Sequence, residues 1–245
     1  MLQAILRGKL SRDHEQIEDI LTSNVFGLLR YEDHRIVLEW LGRARLVDGR
    51  GALDCALLPI DQISIAWEFW PSWSEEGCVA CEPDVVLTVS VPGKPPMHVL
   101  IEAKLNSGKS SQADDGYAPA DQLAREWDNL VARSRADGAR LVLIYLTSHF
   151  SLPRSEIEAS TREFRSKRGA DPVIAWLSWR ELSTILDRHP QGLIRRDLAL
   201  LLERMGLTYF EGVAPLPPEK IRWRFDAGSY KWSIDDATDP NWRFT

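Results

Sequence analysis

The sequence predicts an α/β fold with a mixed central sheet buried on both faces and flanked by helices. Three observations carry this. Val85-Val86-Leu87 with Val89 and Val91, and then Val99-Leu100-Ile101, are nearly continuous apolar runs, the mark of strands covered on both sides. Between them stands Pro92-Gly93-Lys94-Pro95-Pro96, a breaker cluster that predicts a turn between antiparallel neighbours. A helical pattern then separates the second run from a further apolar stretch, Arg140 to Thr147. That layout is a β-α-β crossover.

The chain has 245 residues, 44% of them hydrophobic and 27% charged. That suits one large globular domain with an extension. No apolar run approaches the length of a membrane span, and the N-terminus lacks the long apolar stretch of a signal peptide. The net charge of −6 argues against a protein that coats nucleic acid non-specifically, but local basic patches remain open. Three cysteines, Cys55, Cys78 and Cys81, are sparse and odd in number, which fits a reducing cytoplasm. Cys78-Val79-Ala80-Cys81 has metal or redox spacing, yet a structural zinc needs four ligands. Cys55 supplies at most a third, so buried thiols are the better reading.

In chain order, Ser11 to Leu29 reads as a helix with Ser11 as N-cap and Ile17, Ile20, Leu21, Val25, Phe26, Leu28 and Leu29 as its apolar face. A second helix runs from His34 to Ala44. Residues 62–69 alternate as a strand does, and Trp67, Phe69, Trp70 and Trp73 form an aromatic cluster, expected to pack rather than stack on bases. The strand ending at Lys104 leads into a polar loop. Its Gly108-Lys109-Ser110 lacks the first glycine of a phosphate loop, so a nucleotide-binding P-loop is rejected. Asp121 to Ala136 is a helix with Leu123, Trp127, Leu130 and Val131 inward. Residues 154–168 form another, ending basic. Val173 to Ser178 is a strand, and helices 179–187 and 193–205 follow, the last stopped by Gly206. Residues 1–213 form the domain. Residues 214–245, Pro-rich and then aromatic (Trp223, Phe225, Tyr230, Trp232, Trp242, Phe244), are too apolar for free disorder. They are expected to pack on the domain, on a partner protein or on a second copy in a homodimer.

The chemistry concentrates between Glu82 and Lys104. Asp84 opens one strand; Glu102 and Lys104 close the next and, two apart, share a face, while Ala103 points to the core. Two carboxylates and an ammonium can then meet at one sheet end. Carboxylate oxygens suit Mg²⁺. The plainer alternative is an ordinary ion pair between Glu102 and Lys104, with Asp84 capping a turn.

Pro83-Asp84, seventeen intervening residues, then Glu102-Ala103-Lys104 resembles the PD-(D/E)xK nuclease superfamily. The resemblance implies a restriction-endonuclease-like αβββαβ core and Mg²⁺-dependent hydrolysis of phosphodiesters in DNA, with Mn²⁺ able to substitute. It implies Asp84, Glu102 and the Ala103 carbonyl as metal ligands, and Lys104 as the group that orients or deprotonates water or stabilises the developing charge. It also implies a glutamate from the first helix, Glu18, with Glu15 and Asp19 as competitors, and a glutamine, Gln122, from the helix after the Glu-x-Lys strand. In that helix the family carries an aromatic about one turn after the glutamine; here Trp127 is five residues on. Lys109, Ser110, Arg125 and the cluster Arg162, Arg165, Lys167 and Arg168 are the candidate DNA contacts. The stretches Trp176 to Leu182 and Leu200 to Leu207 look like those of bacterial defence-associated nucleases of this type, which implies phage defence or mobile-element biology. Two alternatives stand beside this: a catalytically silent nucleic-acid-binding or assembly subunit on the same fold, and an unrelated α/β interaction module.

Overall fold

The computed structural model describes residues 2–7, 9, 18–55, 58–106, 108–109, 117–135, 137–209, 221–226 and 229–234. The expected start of the first helix (Ser11, Glu15, Ile17), Ser110, and Trp242 and Phe244 of the tail lie outside these residues. The chain divides into two compact units, residues 1–209 and 210–245.

In the first unit the elements are α1 (Leu2–Leu6), α2 (Glu18–Leu29), α3 (His34–Leu41), β1 (Ser64–Phe69), β2 (Val85–Ser90), β3 (Met97–Lys104), α4 (Gln122–Arg133), β4 (Arg140–Thr147), α5 (Arg154–Arg168), β5 (Ile174–Ser178), α6 (Trp179–Arg188) and α7 (Leu193–Arg204). The five strands pair in sequence order. β1–β2 and β2–β3 are antiparallel, whereas β3–β4 and β4–β5 are parallel. From α2 through β4, with α3 inserted, this is the αβββαβ order of a restriction-endonuclease-like core.

Strand periodicity divides the core into two layers. Val85, Leu87, Val99, Ile101, Ala103, Ile144 and Leu146 face α2, α3, α6 and α7. Val86, Leu100, Leu143 and Tyr145 face α4 and α5. Phe26, Trp40 and Trp179 anchor the first layer, with ring centroids 5.3 to 5.9 Å apart, a spacing at which aromatic pairs add to their area burial. The edge of β5 is closed by Arg45, which exchanges backbone hydrogen bonds of 2.9 and 2.8 Å with Trp176; an edge so covered offers no free pairing row there.

Helix starts follow their caps. The Asp121 carboxylate accepts the Ala124 N–H at the head of α4, and Ser178 accepts the Arg180 N–H at the head of α6. α5 ends at Gly169, whose φ is +70°. A Cβ there would meet no atom within 4 Å, so only the left-handed backbone resists a side chain. Gly169→Ala is expected to lower stability by about 1 kcal/mol, read as a lower denaturant midpoint at unchanged slope.

The second unit carries secondary structure for which the sequence reading assigned no element. It holds an antiparallel hairpin of β6 (Ile221–Asp226) and β7 (Ser229–Ile234), paired from Ile221↔Ile234 to Asp226↔Ser229.

Candidate active site

The ladder between β2 and β3 stops at Val85↔Ile101. Beyond it the Asp84 side chain takes over. Its Oδ2 accepts the Ala103 N–H at 2.8 Å, and its Oδ1 accepts the Trp70 indole N–H at 3.2 Å. In an extended strand a residue's N–H and C=O point to the same neighbour, so the Ala103 carbonyl lies on the Asp84 side of β3. Glu102 projects toward α4, two residues before Lys104. The Lys104 ammonium donates to Glu102 Oε1 at 2.6 Å and to Glu18 Oε1 at 3.1 Å. Glu18, in the first turn of α2, also accepts the Leu105 N–H at 2.8 Å, so helix and strand end are joined through one carboxylate. Gln122, first residue of α4, donates its amide N–H to Glu102 Oε1 at 2.5 Å. Asp84, Glu102, Lys104, Glu18 and Gln122 therefore meet at one end of the sheet, where Asp84 is 7% and Glu102 2% exposed.

One further group belongs here. Glu126, four residues after Gln122 on α4 and 1% exposed, faces the Glu102 carboxyl. Oε2 of Glu102 and Oε2 of Glu126 are buried and have no hydrogen-bond donor. Two acceptors can face each other only by sharing a proton. Burial first, and then the charge of Glu102, push Glu126 well above the ordinary carboxyl range, so Glu126 is the proton carrier. The i, i+4 spacing from Gln122 on the buried side of a helix was the available signal.

Burial dominates the other carboxyls as well. It lifts Asp84 to about 6, against the opposing pull of the Ala103 amide and Lys104. Burial and the neighbouring Asp84 raise Glu102. For Lys104, burial favours the neutral form, but Glu102 and Glu18 outweigh it and hold the ammonium protonated.

The named groups are thus four carboxyls around one ammonium, an excess of acid that a cation can balance. Among the described residues no set of three or more His, Cys, Asp or Glu is arranged as a ready cage. The donors fit Mg²⁺ instead, which takes one or two carboxylates and fills its octahedron with water and substrate oxygens. Asp84, Glu102 and the Ala103 carbonyl are the residues that could hold it, Glu102 by giving up the proton it shares with Glu126. A cleft of about 330 Å³ opens beside Lys104, lined also by Asn106, Gly108, Thr147, Ser148, His149 and Glu156.

The residues expected to touch DNA are placed differently. The three donors of Lys109 go to Asp121 at 2.5 Å, the Glu156 carbonyl at 2.9 Å and the Ser160 hydroxyl at 2.7 Å. Arg125 is buried and donates to the Ala120 carbonyl. Arg165 forks onto Asp171, and Arg168 onto Asp128 and the Gly77 carbonyl. Each of these would have to exchange protein partners to reach a phosphate. Arg162 is exposed and lines a separate groove of about 500 Å³ with Arg50, Arg154 and Arg165. Lys167, half-buried, also has a partner within the protein. The three cysteines are free thiols, and burial raises Cys55 to about 11 and Cys81 to about 12.

Among the described residues no helix is long and apolar enough to cross a membrane. No family model matches the sequence, and no curated protein matches it. Among solved structures, the chain is similar to the MspJI restriction endonuclease in complex with a 27-mer oligonucleotide, at 17% identity and a TM-score of 0.32. The match covers 89% of this chain and 37% of that one, so the chain spans little more than a third of that protein's length.

Proposed function

We propose that this chain is a Mg²⁺-dependent endonuclease of the PD-(D/E)xK type that hydrolyses phosphodiester bonds in DNA. The observation that supports it most is the convergence of Asp84, Glu102 and Lys104, from adjacent strands, into one buried cluster completed by Glu18 and Gln122. A hard divalent cation held by Asp84, Glu102 and the Ala103 carbonyl would polarise the phosphoryl group and acidify its bound water.

The protein's own groups divide the remaining work. Lys104, kept charged by Glu102 and Glu18, is an electrostatic clamp for charge developing on the phosphoryl oxygens, not a base. Glu18 fixes Lys104 and the Leu105 amide together. Gln122 holds Glu102 Oε1 and so fixes the orientation of that carboxyl. The burial of the cluster raises the strength of each of these interactions over its value in water.

The test is incubation of the purified chain with supercoiled plasmid, linear duplex, single-stranded DNA and RNA, in Mg²⁺, Mn²⁺ or chelator. Metal-dependent breakage of DNA, absent in Asp84→Ala, is the expected result. DNA binding without breakage under any metal would instead assign the chain to the catalytically silent binding class.

A further inference from the structure

β1 ends at Phe69, and the next residue, Trp70, has a backbone φ of +46°. Among the described residues it is the one non-glycine in the left-handed region, a conformation that is a genuine outlier for a bulky aromatic. Such outliers persist only where the surroundings over-determine them, and they cluster at functional sites. What surrounds Trp70 is Asp84. The Trp70 backbone N–H donates to the Asp84 carbonyl at 3.0 Å, and its indole N–H donates to Asp84 Oδ1 at 3.2 Å. One residue therefore grips both the main chain and the side chain of Asp84. The other carboxylate oxygen is fixed from the opposite strand by the Ala103 N–H. With one donor on each oxygen, the carboxylate plane is set from both sides, and each oxygen keeps a lone pair for a further contact. The indole itself is half-buried beside Phe69, with ring centroids 6.0 Å apart.

We propose that Trp70 is a positioning residue: its left-handed backbone and indole N–H hold the Asp84 carboxylate in the orientation that receives a divalent cation. This rests on the reading of Asp84 and Glu102 as cation ligands. Partners that orient a metal ligand carry much of a site's affinity, and their loss costs roughly 10- to 100-fold in metal binding. Trp70→Phe removes the N–H and keeps a ring in place.

The experiment is calorimetric titration of Mn²⁺, without DNA, into the parent chain and Trp70→Phe, with thermal melts of both metal-free proteins. The expected result is Mn²⁺ binding about tenfold weaker in the folded variant. Equal affinities in parent and variant overturn this inference and leave the metal reading standing, as does a variant that melts earlier yet binds Mn²⁺ as the parent does. A parent that binds no Mn²⁺ overturns the metal reading and this inference with it. A metal-free check addresses the hydrogen bond itself. The chain has ten tryptophans; in a ¹H–¹⁵N spectrum Trp70→Phe identifies the indole signal of Trp70, and Asp84→Ala is expected to move it more than any other. An unmoved signal overturns the contact.

Discussion

Lys104→Met is expected to lower Mg²⁺-dependent cleavage by about 10³-fold, which is the range found when one preorganised stabiliser of developing charge is removed. The same variant is expected to bind Mn²⁺ at least as tightly as the parent. The reason lies in the charge arrangement. The Lys104 ammonium donates to Glu102 Oε1 and Glu18 Oε1, so it competes with any cation for the same carboxylates. Methionine keeps the apolar stem but lacks the terminal ammonium, and so withdraws that competition. Rate and metal affinity then move in opposite directions, which a variant that merely unfolds the site cannot do. Single-turnover cleavage and Mn²⁺ calorimetry on one preparation read both. If the variant cuts at the parent rate, Lys104 has no part in the chemistry. If it loses metal binding together with cleavage, Lys104 acts by holding Glu102 and Glu18 in place.

The parts of this arrangement that were legible in the sequence are those set by local pattern. The apolar runs around Val85 and Val99, and the breakers between them, define the β2–β3 hairpin, and the parity of Glu102, Ala103 and Lys104 fixes their faces. Helix α5 runs from Arg154 to Arg168 as its pattern predicts, because its left-handed Gly169 stops it. What was not legible depends on tertiary register. A basic side chain facing a phosphate and one folded back on its own protein's acid have the same sequence. Lys109 on Asp121 and Arg168 on Asp128 are of the second kind. Glu126 follows the same rule in reverse: it lies beside Trp127 in a helix that looks amphipathic, yet it is buried against Glu102. The left-handed turn at Trp70 has no glycine or asparagine to announce it. The β6–β7 hairpin was obscured by the Pro-rich stretch before it, although Ile221-Arg222-Trp223-Arg224-Phe225 alternates.

The second large effect is on stability, and it reverses sign with metal. Asp84 is raised by burial from 3.8 to about 6, and Glu102 and Glu126 are raised as well. A carboxyl whose folded pKa exceeds its unfolded one is more protonated in the folded state throughout that interval. Its contribution is therefore fully present below the unfolded value and is lost as pH rises through the folded one. For Asp84 alone the loss is on the order of 3 kcal/mol between the two limits. The metal-free protein is thus expected to melt several degrees higher at pH 5 than at pH 8. The surface carboxyls Asp48 and Asp171, lowered by Arg50 and Arg165, act in the opposite sense, but only below about pH 4, outside this window. Mn²⁺ should invert the trend, because it binds the deprotonated carboxylates. At a concentration 100 times its dissociation constant it adds about 2.7 kcal/mol, and that dissociation constant falls as the protons leave. Melts at pH 5, 6.5 and 8, with Mn²⁺ and with chelator, give two curves that cross. A metal-free protein more stable at pH 8 than at pH 5 would mean that the buried carboxyls are already compensated within the chain. In that case the cluster has no unmet negative charge for a cation to balance.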